Sequence, residues 1–187
     1  MLQFRKYVKI NSRKKINVRN ERGIKMISNK LQEAINNQIQ AEMESAQIYL
    51  AMSVYSESKN LRGFAHWLKS QYQEETGHAF KLLNYLIERG GTVKIQAIPA
   101  PDVEFGTPVQ VFEKVLAHEI HITSLINKLY ELAIAEKDYA AQIFLQWFIE
   151  EQVEEEGAAS TILERLKMVG TSNGSLLYID KELGKRA

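Results

Sequence analysis

Glu75 and His78 stand three residues apart in the stretch Gln73-Glu74-Glu75-Thr76-Gly77-His78. On a helix that spacing projects a carboxylate and an imidazole from one face, where both can grip a single metal ion. Such a pair arises by chance on many helices, so its weight depends on what faces it. Three other stretches carry polar residues mid-way along otherwise apolar stripes: Glu42 with Tyr49, Glu119, and Gln152 with Glu155. A lone ionised carboxylate in an apolar core is very costly. Several together repel one another and are forced to take up protons. A pair of divalent cations removes both difficulties, because Glu42, Glu75, Glu119 and Glu155 then belong to a neutral ligand set.

The elements that must position these residues are long helices. The chain has only three prolines, all between Pro99 and Pro108. Ser28 is a suitable N-cap, and a helical pattern runs from there to about Glu57 with the stripe Ile35, Ile39, Glu42, Ala46, Tyr49, Ser53. Asn60 is the next expected cap, followed by a helix from Leu61 to about Arg89. Its stripe is Phe64, Leu68, Gln71, Glu75, His78, Leu82, Tyr85, and Gly90-Gly91 ends it. Thr107-Pro108 opens a third helix with the stripe Phe112, Val115, Glu119, Ile122, Ile126, Leu129, Ala133. A short turn near Asp138 opens a fourth, which carries Ala141, Leu145, Phe148, Gln152, Glu155, Ala159, Ile162 and Leu166 and stops before Gly170. Residues 175–183 read as a short fifth helix.

Residues 91–107 are longer than the two to eight residues usual between bundle helices, so they are expected to travel the length of the bundle. Two short turns around one long middle crossover predict an all-α fold: a four-helix bundle of ferritin-like connectivity with a short C-terminal helix.

Composition narrows the function. The 187 residues are 45% hydrophobic, enough for a single domain with a real core. The absence of cysteine excludes disulfides and thiolate metal sites and suits a reducing compartment. No apolar run approaches the roughly 18–20 residues of a membrane span. A net charge of +1 hides a split, because residues 1–25 carry nine Lys/Arg against one Glu while the remainder is acidic. That extension is expected to be a disordered arm or to precede the true start at Met26. A basic arm for nucleic acid is a further reading.

Bundle-core dimetal sites commonly take one Glu from each of two helices and Glu-x-x-His from each of the others. This chain departs on its fourth helix, where Gln152-x-x-Glu155 stands in place of the second Glu-x-x-His. One metal is expected at Glu42, Glu75 and His78. The other is expected at Glu75 as a bridge, Glu119 and Glu155, with Gln152 nearby. A second position so weakly held suits iron that passes through. Tyr49 is placed to hydrogen-bond a ligand carboxylate or to supply an electron. His66, His118 and His121 fall off the stripes and are expected at the surface or an interface. Gln71 lies in its stripe with no assigned role.

The chain resembles the bacterial non-haem ferritins over roughly Met26 to Leu183. The resemblance rests on Gln40-Ala41-Glu42 through Tyr49, on Glu74-Glu75-Thr76-Gly77-His78, on Glu119, on Phe144-Leu145-Gln146-Trp147 followed by Glu151-Gln152-Val153-Glu154-Glu155-Glu156, and on Leu177-Tyr178-Ile179-Asp180-Lys181-Glu182-Leu183. It implies a cytoplasmic ferroxidase that oxidises Fe(II) with dioxygen or peroxide. It also implies deposition of ferric oxyhydroxide inside a shell of twenty-four subunits, with no membrane partner. By the resemblance, Glu74, Glu151 and Glu154, with Glu155 shared, match a third iron position towards the cavity. Met52 invites comparison with haem-binding relatives, but no haem is expected, since methionine on a bundle helix usually serves packing. The rival readings are a passive metal-storage cage, a DNA-binding iron-detoxification protein, and a di-iron oxygenase with an organic substrate.

Overall fold

A computed structural model describes residues 26–170 and 172–186, so the expectations for residues 1–25 lie outside the described residues. Five helices follow in order: α1 (Asn29–Ser58), α2 (Arg62–Glu88), α3 (Pro108–Ala135), α4 (Tyr139–Val169) and α5 (Asn173–Leu183). Three of them start on local signals. Ser28 Oγ accepts from the Leu31 N–H at 3.2 Å. Thr107 and Gln110 satisfy each other's backbone in a capping box, with Pro108 in the first turn. Asp138 Oδ1 accepts from the Ala141 N–H at 3.1 Å.

α2 starts differently from the sequence expectation. Asn60 does not cap it: at φ 60° this residue closes the turn after α1, a left-handed conformation that asparagine tolerates. Leu61 occupies the cap position and has no oxygen to offer. The cap comes instead from α5, where Asp180 Oδ1 accepts from the N–H groups of Gly63 at 2.8 Å and Phe64 at 3.0 Å. Its carboxylate also faces the positive end of the α2 dipole. This docking requires a glycine, because a Cβ on residue 63 would lie 1.6 Å from the Asp180 carbonyl oxygen. α5 itself begins at Asn173, two residues before the expected start.

α1 and α2 form one hairpin, α3 and α4 the other; α1 packs on α3, and α5 lies against α2 and α4. The crossover runs back along α1 and is stitched to it by side chains. Gln32 accepts from the Thr92 N–H at 2.7 Å. Asn36 accepts from the Lys94 N–H at 2.7 Å and donates to the Thr92 carbonyl at 2.9 Å. Gln40 donates to the Ala97 carbonyl at 3.1 Å, and Tyr55 to that of Gly106 at 2.9 Å. From Gln32 to Tyr55 is about 35 Å of helix at 1.5 Å per residue. The expected full-length crossover is therefore present, and part of its polar backbone has side-chain partners on α1.

Every residue of the four expected stripes is buried. They form two apolar clusters, one around Met52, Phe64, Leu68 and Phe112, the other around Ile35, Leu82, Ile126 and Phe148. Between them runs a buried polar waist of Glu42, Gln71, Glu75, His78, Glu119, Gln152 and Glu155. Among the described residues, no helix is long and apolar enough to cross a membrane.

The remote cap can be tested directly. Asp180→Ala leaves the Gly63 and Phe64 N–H groups without their acceptor, and loss of a cap typically costs about 1 kcal/mol. Thermal unfolding of the variant should move to lower temperature, whereas an unchanged midpoint would show that the cap contributes nothing.

Candidate metal centre

Each of the four long helices delivers one or two candidate ligand side chains to the waist. α1 brings Glu42, α2 brings Glu75 and His78, α3 brings Glu119, and α4 brings Gln152 and Glu155. Glu42, Glu75 and His78 offer ligand atoms that all lie within 4.8 Å of one another. Glu75 Oε2 sits 3.3 Å from His78 Nδ1. Glu42 Oε1 accepts from Gln38 Nε2 at 2.9 Å, but its Oε2 is buried with no hydrogen-bond partner among the described residues. An orphaned buried acceptor is expensive, and a cation held by these three residues satisfies it. The His78 ring stands edge-on to Trp147 and Phe148, with centroids 5.3 and 6.0 Å away.

The other half of the waist is tied by hydrogen bonds. Tyr49 OH donates to Glu119 Oε1. Gln152 Nε2 donates to Glu119 Oε2 at 3.3 Å and also reaches the Glu119 carbonyl and Thr123 Oγ1. Gln71 Nε2 donates to Glu155 Oε2 at 2.7 Å, which gives this glutamine the role its sequence position left open.

Burial dominates the electrostatics. It pushes Glu42 well above the usual carboxylate range, with the neighbouring Glu75 charge second. Glu75 is raised by burial and then by Glu119. Burial also raises Glu119, against the hydrogen bonds from Tyr49 and Gln152. Glu155 is pushed up to about 7, by burial first and by Glu119 second. Tyr49 is raised well above its ordinary value by burial and then by Glu119, so it remains a hydrogen-bond donor.

The residues matched to a third position are less gathered. Glu74 is half-buried and paired with Arg186 at 2.6 Å. Glu151 Oε1 lies 3.9 Å from His78 Nε2, and Glu154 is exposed. Carboxylates at a wet rim spread apart or pair with an available cation, as Glu74 does.

His118, expected at the surface or an interface, lies between α1 and α3. It is half-buried, its Nε2 lies 2.8 Å from Ser45 Oγ, and its ring meets Tyr49 edge-on at 6.2 Å. Burial, with His121 second, lowers it to about 4, so it is neutral. His66 and His121 are exposed, and Met52 is packed in the apolar cluster. Sequence reasoning missed Gln38, Thr123 and Arg186. It also missed Lys81, whose Nζ lies 3.2 Å over the Trp147 ring. Gln38 lies one turn before Glu42, a spacing that could have flagged it.

The family model of the Ferritin-like domain matches residues 32–169. The chain is similar to the bacterial non-heme ferritin of Bacteroides fragilis (strain 638R), 48% identical over 161 residues, which are 86% of this chain and 100% of the relative. It is 37% identical to that of Staphylococcus aureus (strain USA300) over 161 residues, covering 86% of this chain and 97% of the relative. Among solved structures, the open pore ferritin of the hyperthermophilic archaeon Archaeoglobus fulgidus aligns with a TM-score of 0.85 at 46% identity. That alignment covers 86% of this chain and 99% of the other.

Raised carboxylates tie stability to pH. A carboxyl that holds its proton longer in the folded state than in the unfolded one contributes stability that is complete below the ordinary carboxylate value. That contribution is lost as pH rises through the folded value. For Glu155 the window runs from about 4.5 to about 7, and Glu42 and Glu75 extend it upward. The metal-free protein should therefore melt at lower temperature at pH 8 than at pH 5. Glu42→Gln should flatten this slope, and divalent metal should remove it. A slope indifferent to both would rule out the waist as its source.

Proposed function

Because this chain belongs to the ferritin-like domain family, we propose that it stores iron, and that it does so as a ferroxidase. Ferrous iron is the substrate. Glu42, Glu75 and His78 take one ion. Glu75, as a bridge, and Glu119, with Gln152 or Glu155, take the second. Each ion gives up one electron. The two electrons carry dioxygen to the peroxide level with two protons from water, or carry peroxide to water. The ferric product then leaves past Glu74, Glu151 and Glu154 for deposition as ferric oxyhydroxide. A cytoplasmic location goes with this reading.

The observation that carries the reading is the buried Glu42–Glu75–His78 group with its unpartnered Glu42 oxygen. A structural role would favour paired or apolar side chains here, since an unneutralised buried carboxylate weakens the fold. Tyr49 supports the chemistry by orienting Glu119. An imidazole beside carboxylates is a donor set that suits iron.

Storage needs an enclosed volume, which a single bundle lacks. Phe80, Ile87, Ile143, Val153 and Tyr178 are exposed large apolar side chains, and copies of the chain packing together would cover them. The shell we propose is a homo-oligomer of twenty-four subunits.

Two measurements bear on this. His78→Ala or Glu75→Ala should slow dioxygen consumption after anaerobic Fe(II) addition by at least about tenfold, the lower bound seen even for residues behind the ligands. Undiminished rates would leave only a passive cage. Light scattering should give a mass near twenty-four chains; a monomer would refute the shell.

A further inference from the structure

One cation reaches the carboxylate cluster from the end of the chain. Beyond α5, Arg186 is laid along α2. Its carbonyl oxygen lies 2.8 Å from His66 Nε2, and its guanidinium sits 4.9 Å over the Trp67 ring. Nη2 donates to Glu74 Oε2 at 2.6 Å, and Nη1 donates to Gln71 Oε1. Gln71 is fully buried and passes the contact on, its Nε2 donating to Glu155 Oε2 at 2.7 Å. A continuous chain of donors thus runs from the C-terminal segment to the waist.

We propose that Arg186 is a positioning residue for the metal centre and a resident competitor for Glu74, which yields that carboxylate when a divalent ion arrives at the rim. This rests on the reading of Glu74 and Glu155 as iron ligands. A guanidinium and a metal ion cannot both occupy Glu74 Oε2 at bonding distance, because the two cations repel across a gap of a few ångströms. With Gln71 Oε1 taken by the guanidinium, the amide must aim its NH2 at Glu155, since a carboxamide has one acceptor end and one donor end. When Arg186 departs, Gln71 loses that constraint and Glu155 loses a fixed donor. Filling of the rim is thereby coupled to the geometry of the second ion. Lysine cannot replace this arrangement, since one ammonium lacks the planar fork that reaches Glu74 and Gln71 together.

The test is equilibrium dialysis of the full chain against Fe(II) under argon with metal analysis, paired with Co(II) absorption spectra. Arg186→Gln should bind the weakest ion about fivefold more tightly, the size of one partly exposed ion pair. It should also change the Co(II) spectrum of the second position. Arg186→Lys should keep near-native affinity for the weakest ion, because a charge still competes for Glu74, yet shift the Co(II) spectrum as Arg186→Gln does. Adding Glu74→Gln to Arg186→Gln should abolish the gain. If Arg186→Gln binds and absorbs as the native protein does, while His78→Ala loses its tightest ion, the proposal for Arg186 is overturned and the metal centre stands. Absence of any His78-dependent binding in the native chain overturns the centre and the Arg186 proposal with it.

Discussion

The fold turns on the cost of burying carboxyls that repel one another when ionised, a cost that holds their protons on well above the usual carboxylate range. Glu42, Glu75 and Glu119 are almost wholly shielded from solvent at the middle of the bundle. Two cations close by stand aside: Lys81 lies over the Trp147 ring, and Arg186 is held at the rim by Glu74. Hydrogen bonds from Gln38, Tyr49, Gln152 and Gln71 relieve part of the strain and leave one Glu42 oxygen bare. Removing one partner from a buried ionic group costs several kcal/mol. A fold that carries this deficit at its centre must obtain its stability elsewhere, and the two apolar clusters flanking the waist are where it does so.

Carboxyls that repel once ionised stay together only if their supports cannot splay. That explains features remote from the waist. Helices of 27 to 31 residues carry the waist side chains mid-way, so each is bracketed by several packed turns. The crossover is sewn along α1 from Gln32 to Tyr55, which fixes one hairpin lengthwise against the segment leading into the other. Asp180 caps the start of α2, and Glu75 follows about three and a half turns after Arg62. Register errors at the start of α2 would rotate Glu75 and His78 out of the waist by about 100° per residue, the angle set by 3.6 residues per turn.

What was legible in the sequence is what helical periodicity encodes. The stripes could be read because burial on a helix repeats every three to four residues, and Glu75 or Glu155 could be recognised as polar interruptions of that repeat. Ser28, Thr107 and Asp138 were readable because their caps lie within four residues of the groups they satisfy. The cap on α2 was not, because Asp180 is 116 and 117 residues from its partners. The Ser45 partner of His118 was not legible, because His118 lies one position off its stripe, where contacts depend on how α1 approaches α3. Gln71 had a legible position and an illegible purpose, since its meaning comes from Glu155 and from Arg186 at opposite ends of one amide. Long-range pairing between side chains leaves no period in the sequence.

If the waist takes two ions as proposed, its two halves differ in a way that would order their filling. Around Glu42 and His78, an ion gains a Glu42 oxygen that has no donor among the described residues and faces the neighbouring Glu75 carboxyl. At Glu119 and Glu155, donors already hold the carboxylate oxygens. An ion must share those oxygens or displace the donors, and each displaced bond to a charged group is worth about 1.5–3 kcal/mol. An ion on the Glu42 side also withdraws the charge that raises its neighbours. It thereby eases the loss of protons from the carboxyls that the second ion needs. On that reading the first ion would prepare the second position, and the second position would not become a deep trap. That inequality is what a centre needs if it is to take up metal, change its charge and let it go.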